Sequence, residues 1–428
     1  MRVLVIGSGG REHALVWKIH QSPELTSLHA APGSSAIADL AQCHAVKAND
    51  VDGLVALAQA ESIDLVVVGP EDPLAAGISD RLREVGVATF GPSAAAARLE
   101  GSKAFAKAFM ERHAIPTARY ASFDDLDAAI AYVRELETRC VVKADGLAAG
   151  KGVAMCETPE AAEAALRETM GDRRFGDAGD SVVIEEWMDG EEASYYAVSD
   201  GEHIVALAAA QDHKRALDGD LGENTGGMGA YSPAPVFTEA VEKQVLERVV
   251  VPAIRGMASD GHPYCGVLFV GLMIDPAGDA RVIEFNVRFG DPETQPLMMR
   301  LEDDVLPLLD ACARGTLGRY EGTTLGWGES ATCIVLASGG YPRSYETGKP
   351  IRGLKEAAAN EGVAIFHAGT KRGGDGSFET AGGRVLGVTA TGQDVAQSRE
   401  RAYAAVRKIG FESAQFRNDI ADRALNRR

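Results

Sequence analysis

The chain has 428 residues, 46% of them hydrophobic and 25% charged. That is a globular balance, and the length exceeds one ordinary core, so two or three domains are expected. Lys and Arg number 43 against 62 Asp and Glu, a net charge of −19; a field of that sign repels polyphosphate backbones, and no basic run forms a face, so no nucleic-acid partner is expected. The 48 glycines cluster in short loops, the pattern of backbone that approaches phosphate closely. Cys43, Cys140, Cys156, Cys265, Cys312 and Cys333 form no C-x-x-C pair; neither a disulfide framework nor structural zinc is expected, and a reducing cytoplasm is the expected location. No signal peptide is expected ahead of the first strand, and no 18 apolar residues run together, so no membrane partner is expected either.

In chain order, residues 3–6 read as a short buried strand, residues 12–20 as a helix, 51–60 as a helix and 65–68 as a second buried strand. A helix over 74–85 and a strand over 87–90 follow, the strands ending in Gly69-Pro70-Glu71 and Gly91-Pro92. Strands alternating with helices predict a parallel α/β sheet whose ligands sit beyond the strand ends. The first loop, Gly7-Ser8-Gly9-Gly10-Arg11-Glu12, lacks the third glycine of a dinucleotide fingerprint because that position is Glu12. No acid ends the second strand, so a hydride-transfer cofactor is disfavoured. A lone phosphate beside Arg11 and a tight turn with a solvated arginine stand about level on this loop alone.

Residues 140–143 read as a strand ending in Lys143, followed by Ala144-Asp145-Gly146-Leu147-Ala148-Ala149-Gly150-Lys151-Gly152 and a return to strand. The spacing is not that of a Walker loop. A hairpin with three glycines and two lysines favours folding over a triphosphate, its N–H groups forming an anion nest. Residues 182–188 form an apolar strand ending Glu185-Glu186-Trp187-Met188, readable either as an adenine slot or as an edge strand. In residues 281–288, strand alternation sends Glu284, Asn286 and Arg288 to one face. A carboxylate and an amide oxygen at that spacing suit a hard cation, and Arg288 beside them suits a phosphoryl group.

Together these pieces resemble the ATP-grasp superfamily, and within it the phosphoribosylamine–glycine ligase (glycinamide ribonucleotide synthetase) family. The resemblance runs from residue 1 to about residue 425. It is carried by Gly-Gly-Arg-Glu-His-Ala (9–14), Lys-Ala-Asp-Gly-Leu-Ala-Ala-Gly-Lys-Gly-Val (143–153), Gln-Asp-His-Lys-Arg (211–215), Asn-Thr-Gly-Gly-Met-Gly-Ala-Tyr-Ser-Pro (224–233) and Glu-Phe-Asn-Val-Arg-Phe-Gly-Asp-Pro-Glu-Thr-Gln (284–295). The resemblance implies ATP-dependent activation of glycine as glycyl phosphate and its capture by 5-phosphoribosylamine, a step of purine biosynthesis. Mapped onto this chain it implies that Lys103 and Lys143 hold the α- and β-phosphates, with Asp145, Gly146, Gly150, Lys151 and Gly152 in the loop over the γ-phosphate. Glu185, Glu186, Trp187 and Met188 would line the adenine pocket and Glu192 would bind the ribose. Glu284 and Asn286 would hold Mg²⁺ or Mn²⁺, while Arg288 and Asp291, with Lys143, would serve glycine and its acyl phosphate. Gly9, Gly10, Arg11, Gly33, Pro70 and Glu71 would receive phosphoribosylamine, completed by Asp212, His213, Lys214, Thr225, Gly226, Gly227 and Met228. An acyl phosphate decomposes in water, so a covering loop is required. His213 could accept the amine proton, although a lone histidine is more often structural.

Two departures stand out. Gly222-Glu223-Asn224 replaces the family's Gly-Pro-Asn, adding a negative charge, and the strand at 266–273 carries no acid for a second metal. The expected architecture is α/β and α+β: a parallel pre-ATP-grasp domain over 1–102, an ATP-grasp domain over 103–325 with a mobile lid about 117–187, and a small C-terminal α/β domain over 326–428. A monomer acting on ATP, glycine and phosphoribosylamine is expected. Competing readings are another ATP-grasp carboxylate–amine ligase or a biotin-carboxylase-like enzyme, a non-catalytic ATP-binding regulator, and an NAD enzyme.

Overall fold

A computed structural model describes residues 1–146 and 152–427. The strands Arg2–Gly7, Ser27–Pro32, Gln42–Cys43, Leu65–Val68 and Ala88–Phe90 pair in parallel, with Arg2–Gly7 between Ser27–Pro32 and Leu65–Val68. Val3 to Ile6 and Leu65 to Val67 are fully buried, as strands covered on both faces must be. The first helix starts at Gly10, earlier than its apolar periodicity suggests, because Glu12 folds back to accept the Gly9 N–H at 2.6 Å. The helix expected over 74–85 is two, Glu71–Ala75 and Ile78–Glu84, broken where Gly77 takes a left-handed φ of 84°.

Two antiparallel sheets follow. One orders Tyr120–Phe123, Val182–Glu186, Cys140–Ala144 and Val153–Cys156; the other orders Ile204–Ala206, Glu191–Asp200, Cys265–Ile274 and Ala280–Asn286. The first carries a core of its own, built on Ile130, Val142, Leu166 and Ile184. The second shares its core with the parallel sheet, since Tyr195, Leu268 and Val282 cluster with Leu4, Ile6 and Val66. The strand expected over 281–288 stops at Asn286, because the Val287 N–H goes to Glu100 Oε2 at 2.7 Å instead of to a neighbouring strand.

The last sheet orders Gln211–Asp212, Gly229–Ser232, Ser330–Ala337, Arg384–Gly392 and Val363–His367, all antiparallel. Two of its strands therefore come from residues far upstream of the rest. The helix Val395–Val406, capped by the Asp394 side chain on Gln397 N, packs over it around Ile334, Val388 and Ala402. The fold is thus the multidomain α/β arrangement expected: a parallel N-terminal sheet, a pair of antiparallel sheets and a C-terminal unit. No helix among the described residues is long and apolar enough to cross a membrane.

Candidate active site

A cavity of about 370 Å³ opens between the two antiparallel sheets and reaches toward the parallel sheet's glycine loops. On one wall Lys143, from Cys140–Ala144, ion-pairs with Glu185 of the adjacent strand at 2.8 Å. Glu185 also holds Lys107 at 3.0 Å, and Lys107 and Glu185 are almost fully buried. Burial pulls Lys107 down to about 8, although Glu185 acts against that fall. Glu185 thus braces two cations. Met188 and Glu186 also line the cavity. Glu186 is bound from outside by Arg119 and Arg281, both at 2.8 Å. Trp187 does not line the cavity; Arg139 lies over its ring at 5.0 Å.

Lys103 opens the helix Lys103–Arg112 and donates to the Gly146 carbonyl at 3.1 Å. Burial lowers its pKa, and Lys143 adds to that against the opposing pull of Glu284. Asp145 stays off the cavity wall: it accepts from Ser102, the Ala104 N–H at 2.7 Å and Ser181 at 3.1 Å, fastening this helix to the glycine hairpin. Gly146 fits because a Cβ there would come within 2.6 Å of Ala178 Cβ. Gly152 lines the cavity; Gly150 and Lys151 lie outside the described residues.

Glu284 and Asn286 face these lysines. Pairing slips between Val282 and Glu284, leaving Ile283 as a bulge whose carbonyl accepts Lys143 at 3.3 Å. Burial alone would raise the Glu284 pKa, but Lys214, Lys143, Lys103 and Arg288 outweigh it and hold the carboxylate below its ordinary value. No described cation lies within ion-pair distance of Glu284, and the buried Asn286 Nδ2 has no partner. The open Glu284 carboxylate, with the Asn286 oxygen that Arg288 also reaches at 3.1 Å, is an oxygen pair of the kind a hard cation takes. No group of three or more His, Cys, Asp or Glu among the described residues makes a fuller cage, and the strand opposite offers Gly271 across from Glu284.

Arg288 reaches the same cavity from beyond the strand end. Its guanidinium binds Glu100 at 2.7 Å, Glu71 at 3.2 Å and Asn286 Oδ1 at 3.1 Å. Burial opposes its charge, but Glu100 and Glu71 raise its pKa further, so it is a permanent cation. Burial pushes Glu100 up to about 7, with Arg288 pulling the other way. Glu71 is lowered despite its burial, because Arg288 and Arg11 lie beside it.

The N-terminal loop closes one end. Arg11 donates to Glu12 and to the Phe289 carbonyl at 3.1 Å, and a Cβ on Gly10 would come within 2.8 Å of Gln295 Nε2. Glu12 packs between the two glycine turns, where a Cβ on Gly7 or Gly69 would collide with it. A Cβ on Gly9 would sit 3.0 Å from Glu12 Oε2 and 3.9 Å from Asp291 Oδ2, and Pro70 caps the helix that carries Glu71. Gly33 does not line the cavity; its N–H donates to the Gly7 carbonyl at 3.1 Å, and a Cβ there would collide with Cys43 Sγ.

Asp212, Lys214, Thr225, Gly226 and Asp291 complete the wall, and Glu192 pairs with Lys214 at 2.9 Å. Thr225 Oγ1 donates to the Lys214 carbonyl and accepts the Gly227 N–H, so these segments are tied together. Gly227, with φ 109°, lies on Pro292, and Met228 is buried behind it. His213 faces away from the cavity: its Nε2 accepts the Ala421 N–H at 3.0 Å, and burial drives its pKa down to about 3. Glu223 is exposed and neutralised by Arg343 at 2.6 Å.

Four charged lining side chains escaped the sequence reading. Lys107 follows Lys103 by one turn, a visible spacing signal. Glu293 stood inside a quoted phrase, whereas Glu100 and Arg384 carry no local pattern. Arg384, from the last sheet, donates to the Gly226 and Asp291 carbonyls, both at 2.6 Å, and pairs with the Asp291 carboxylate at 3.0 Å.

Comparison with known proteins gives the chain's family. Models of the phosphoribosylglycinamide synthetase N, ATP-grasp (A) and C domains match residues 1–100, 101–294 and 331–423. The phosphoribosylamine–glycine ligase of Salmonella typhimurium is 50% identical over 430 residues, covering 100% of this chain and 99% of that protein. The chain belongs to the phosphoribosylglycinamide synthetase family. A further member of the synthetase family, from Xanthomonas axonopodis pv. citri, is 52% identical with 100% and 99% covered. The crystal structure of phosphoribosylamine–glycine ligase from Thermotoga maritima superposes with TM-score 0.81 at 32% identity, covering 98% of this chain and 100% of that one. The biotin carboxylase domain of Hydrogenobacter thermophilus 2-oxoglutarate carboxylase, solved with MgADP and bicarbonate, has TM-score 0.74 at 15% identity over 97% and 91%, a likeness of fold.

Proposed function

We propose that this chain ligates glycine to 5-phosphoribosylamine at the expense of ATP, through a glycyl phosphate. The observation that carries this reading is the meeting of Lys103, Lys143, Glu284, Asn286, Arg288 and Asp291 around one cavity that Gly152 also lines. Lys103 and Lys143 would hold the nucleotide's phosphates, with Met188 and the Glu186 backbone at its base and Glu192 near its ribose. Mg²⁺, or Mn²⁺ in its place, would be held by Glu284 and Asn286 and would supply charge neutralisation at the phosphates.

Glycine's carboxylate would lie against Arg288, whose charge is fixed by Glu71 and Glu100, and take the γ-phosphoryl group. Asp291, steadied by Arg384 and by Gln295 at 2.8 Å, would hold glycine's ammonium. Phosphoribosylamine would enter from the Gly9-Gly10-Arg11 side, with Glu71, Lys214 and the 225–227 loop around it. Closure of the 117–187 sheet over the cavity would exclude water from the acyl phosphate. The proposed domain limits are 1–102, 103–325 and 326–428, and the chain would act as a monomer in the cytoplasm.

The test measures ADP release with Mg·ATP and glycine, with and without phosphoribosylamine made in situ from ribose 5-phosphate and ammonia. ADP and glycinamide ribonucleotide should appear in equal amounts and require both substrates. Bicarbonate-dependent ADP formation without glycine would point instead to carboxylase chemistry. Glu284→Ala should lower turnover on the order of 10²–10³-fold, the size of one preorganised electrostatic contact; normal turnover in that variant would sink the metal assignment.

A further inference from the structure

The ligation releases a proton, because a neutral amine becomes an amide nitrogen. His213 is not placed to take it: the nitrogen that could accept a proton already receives the Ala421 N–H. Its neighbour Asp212 is different. Asp212 is 7% exposed and lines the cavity, and its carboxylate makes no hydrogen bond or ion pair to any described residue. Lys214, the nearest cation in sequence, is engaged with Glu192 at 2.9 Å. The Asp212 oxygens are not sealed in protein, as the Tyr196 hydroxyl is; they open to the cavity, where a bound ligand can meet them.

A second carboxylate stands near it. Glu293 is 3% exposed, lines the same cavity and accepts from Ser194 Oγ at 3.1 Å. It shares the Gly290 turn with the buried, unpartnered hydroxyl of Tyr196. Asp212 projects from the Gln211–Asp212 strand of the last sheet, Glu293 from the turn after Arg288, and Ser194 and Tyr196 from the central sheet. Three elements thus converge on one wall, next to the Asp291 turn.

We infer that Asp212 is the group that accepts the proton of the attacking amine, with Glu293 as the neighbour that keeps it receptive. This deepens the proposed ligation and rests on that reading. In the step, the amine nitrogen bonds to the acyl carbon, and the bond from that carbon to the phosphate oxygen breaks. Phosphate leaves with the electron pair, and the nitrogen's proton passes to the Asp212 carboxylate and then to solvent. The charged groups facing Asp212 are Lys214 and Arg423, which favour its ionised form, and Glu293 and Glu192, which oppose it. Burial and those two acids raise Asp212 to about 7, where a carboxylate exchanges protons readily at neutral pH.

The experiment compares two nucleophiles on full-length enzyme with Mg·ATP and glycine: phosphoribosylamine, and hydroxylamine, a weakly basic nucleophile that traps glycyl phosphate as the hydroxamate without needing a protein base. Asp212→Asn should lower the phosphoribosylamine rate about 10²-fold or more, lower hydroxamate formation far less, and abolish the acid limb of the kcat profile. Glu293→Gln should shift that limb to lower pH, a change that a merely structural residue would not cause. Parallel loss of both reactions in Asp212→Asn, or an unmoved limb in both variants, overturns the assignment. Absence of glycine-dependent ADP from the wild type with either nucleophile overturns the ligase reading itself, which separates the two failures.

Discussion

Glu185 holds together the phosphate-side wall, because it sits 3% exposed between the ammonium groups of Lys143 and Lys107. Removing one partner of a buried ion pair strands the others, so Glu185→Ala should cost roughly 3–5 kcal/mol, read by urea unfolding, and should weaken ATP binding in calorimetry. An unchanged midpoint would mean the lysines find other partners. Glu100 gives a pH signature. Its carboxyl is ordinary near 4.5 when unfolded and about 7 when folded. The folded state therefore retains a proton the unfolded chain has lost, and stability falls as pH rises through that window. Glu100→Gln has nothing to ionise, so relative to wild type it should gain up to about 3 kcal/mol between pH 5 and pH 8, measured by denaturation at each pH. Lys143 and Glu284 were legible in the chain because each ends or punctuates an apolar strand. Glu100 was not, because its role is defined by Arg288, which is distant in sequence and adjacent only in space.

Between neighbouring elements, small departures from regularity aim the side chains. The bulge at Ile283 separates Val282, buried in the core, from Glu284 in the cavity, and it frees a carbonyl for Lys143. Alternation in the sequence anticipated that Glu284, Asn286 and Arg288 share a destination; it could not reveal a bulge, whose cause is the pairing register. Gly227 marks the closest approach of the substrate loop to the Asp291 turn. An alanine there would overlap Pro292 Cδ at a φ of 109°, a strain of about 1–3 kcal/mol. Gly227→Ala should raise KM for phosphoribosylamine more than for ATP in steady-state kinetics; equal effects on both would place the strain elsewhere.

For the molecule as a whole, the cavity is assembled from all parts of the chain: Arg11 and Glu71 from helices that follow strands of the parallel sheet, Lys143 and Glu185 from the hairpin sheet, Glu284 from the central sheet and Arg384 from the last. The C-terminal segment returns to brace it. Arg417, 1% exposed on its side chain, binds both Asp419 oxygens at 2.7 Å and Asp220 at 2.9 Å, close to where Ala421 meets His213. Arg417→Met should cost about 2–3 kcal/mol and lower turnover, both measurable on the full chain; full activity would show that the C-terminal clasp is dispensable. Burial alone would raise Asp419, but Arg417 and the Gly219 N–H bring it down to about 2. Its stabilising share is therefore present above pH 3.8 and fades only as pH falls toward 2.

The amino-acid sequence by itself determined the alternation that makes the first sheet parallel, the glycine-and-lysine hairpin, the Glu284–Asn286 pair and the family phrases, since these depend on residue type and short spacing. Only the tertiary structure decided that Glu185 braces lysines, that Trp187 lies off the cavity, that His213 is claimed by the C-terminus, and that Asp212 is left open beside Glu293. Those outcomes depend on burial and on which distant group arrives within hydrogen-bonding reach, and neither is written in local spacing.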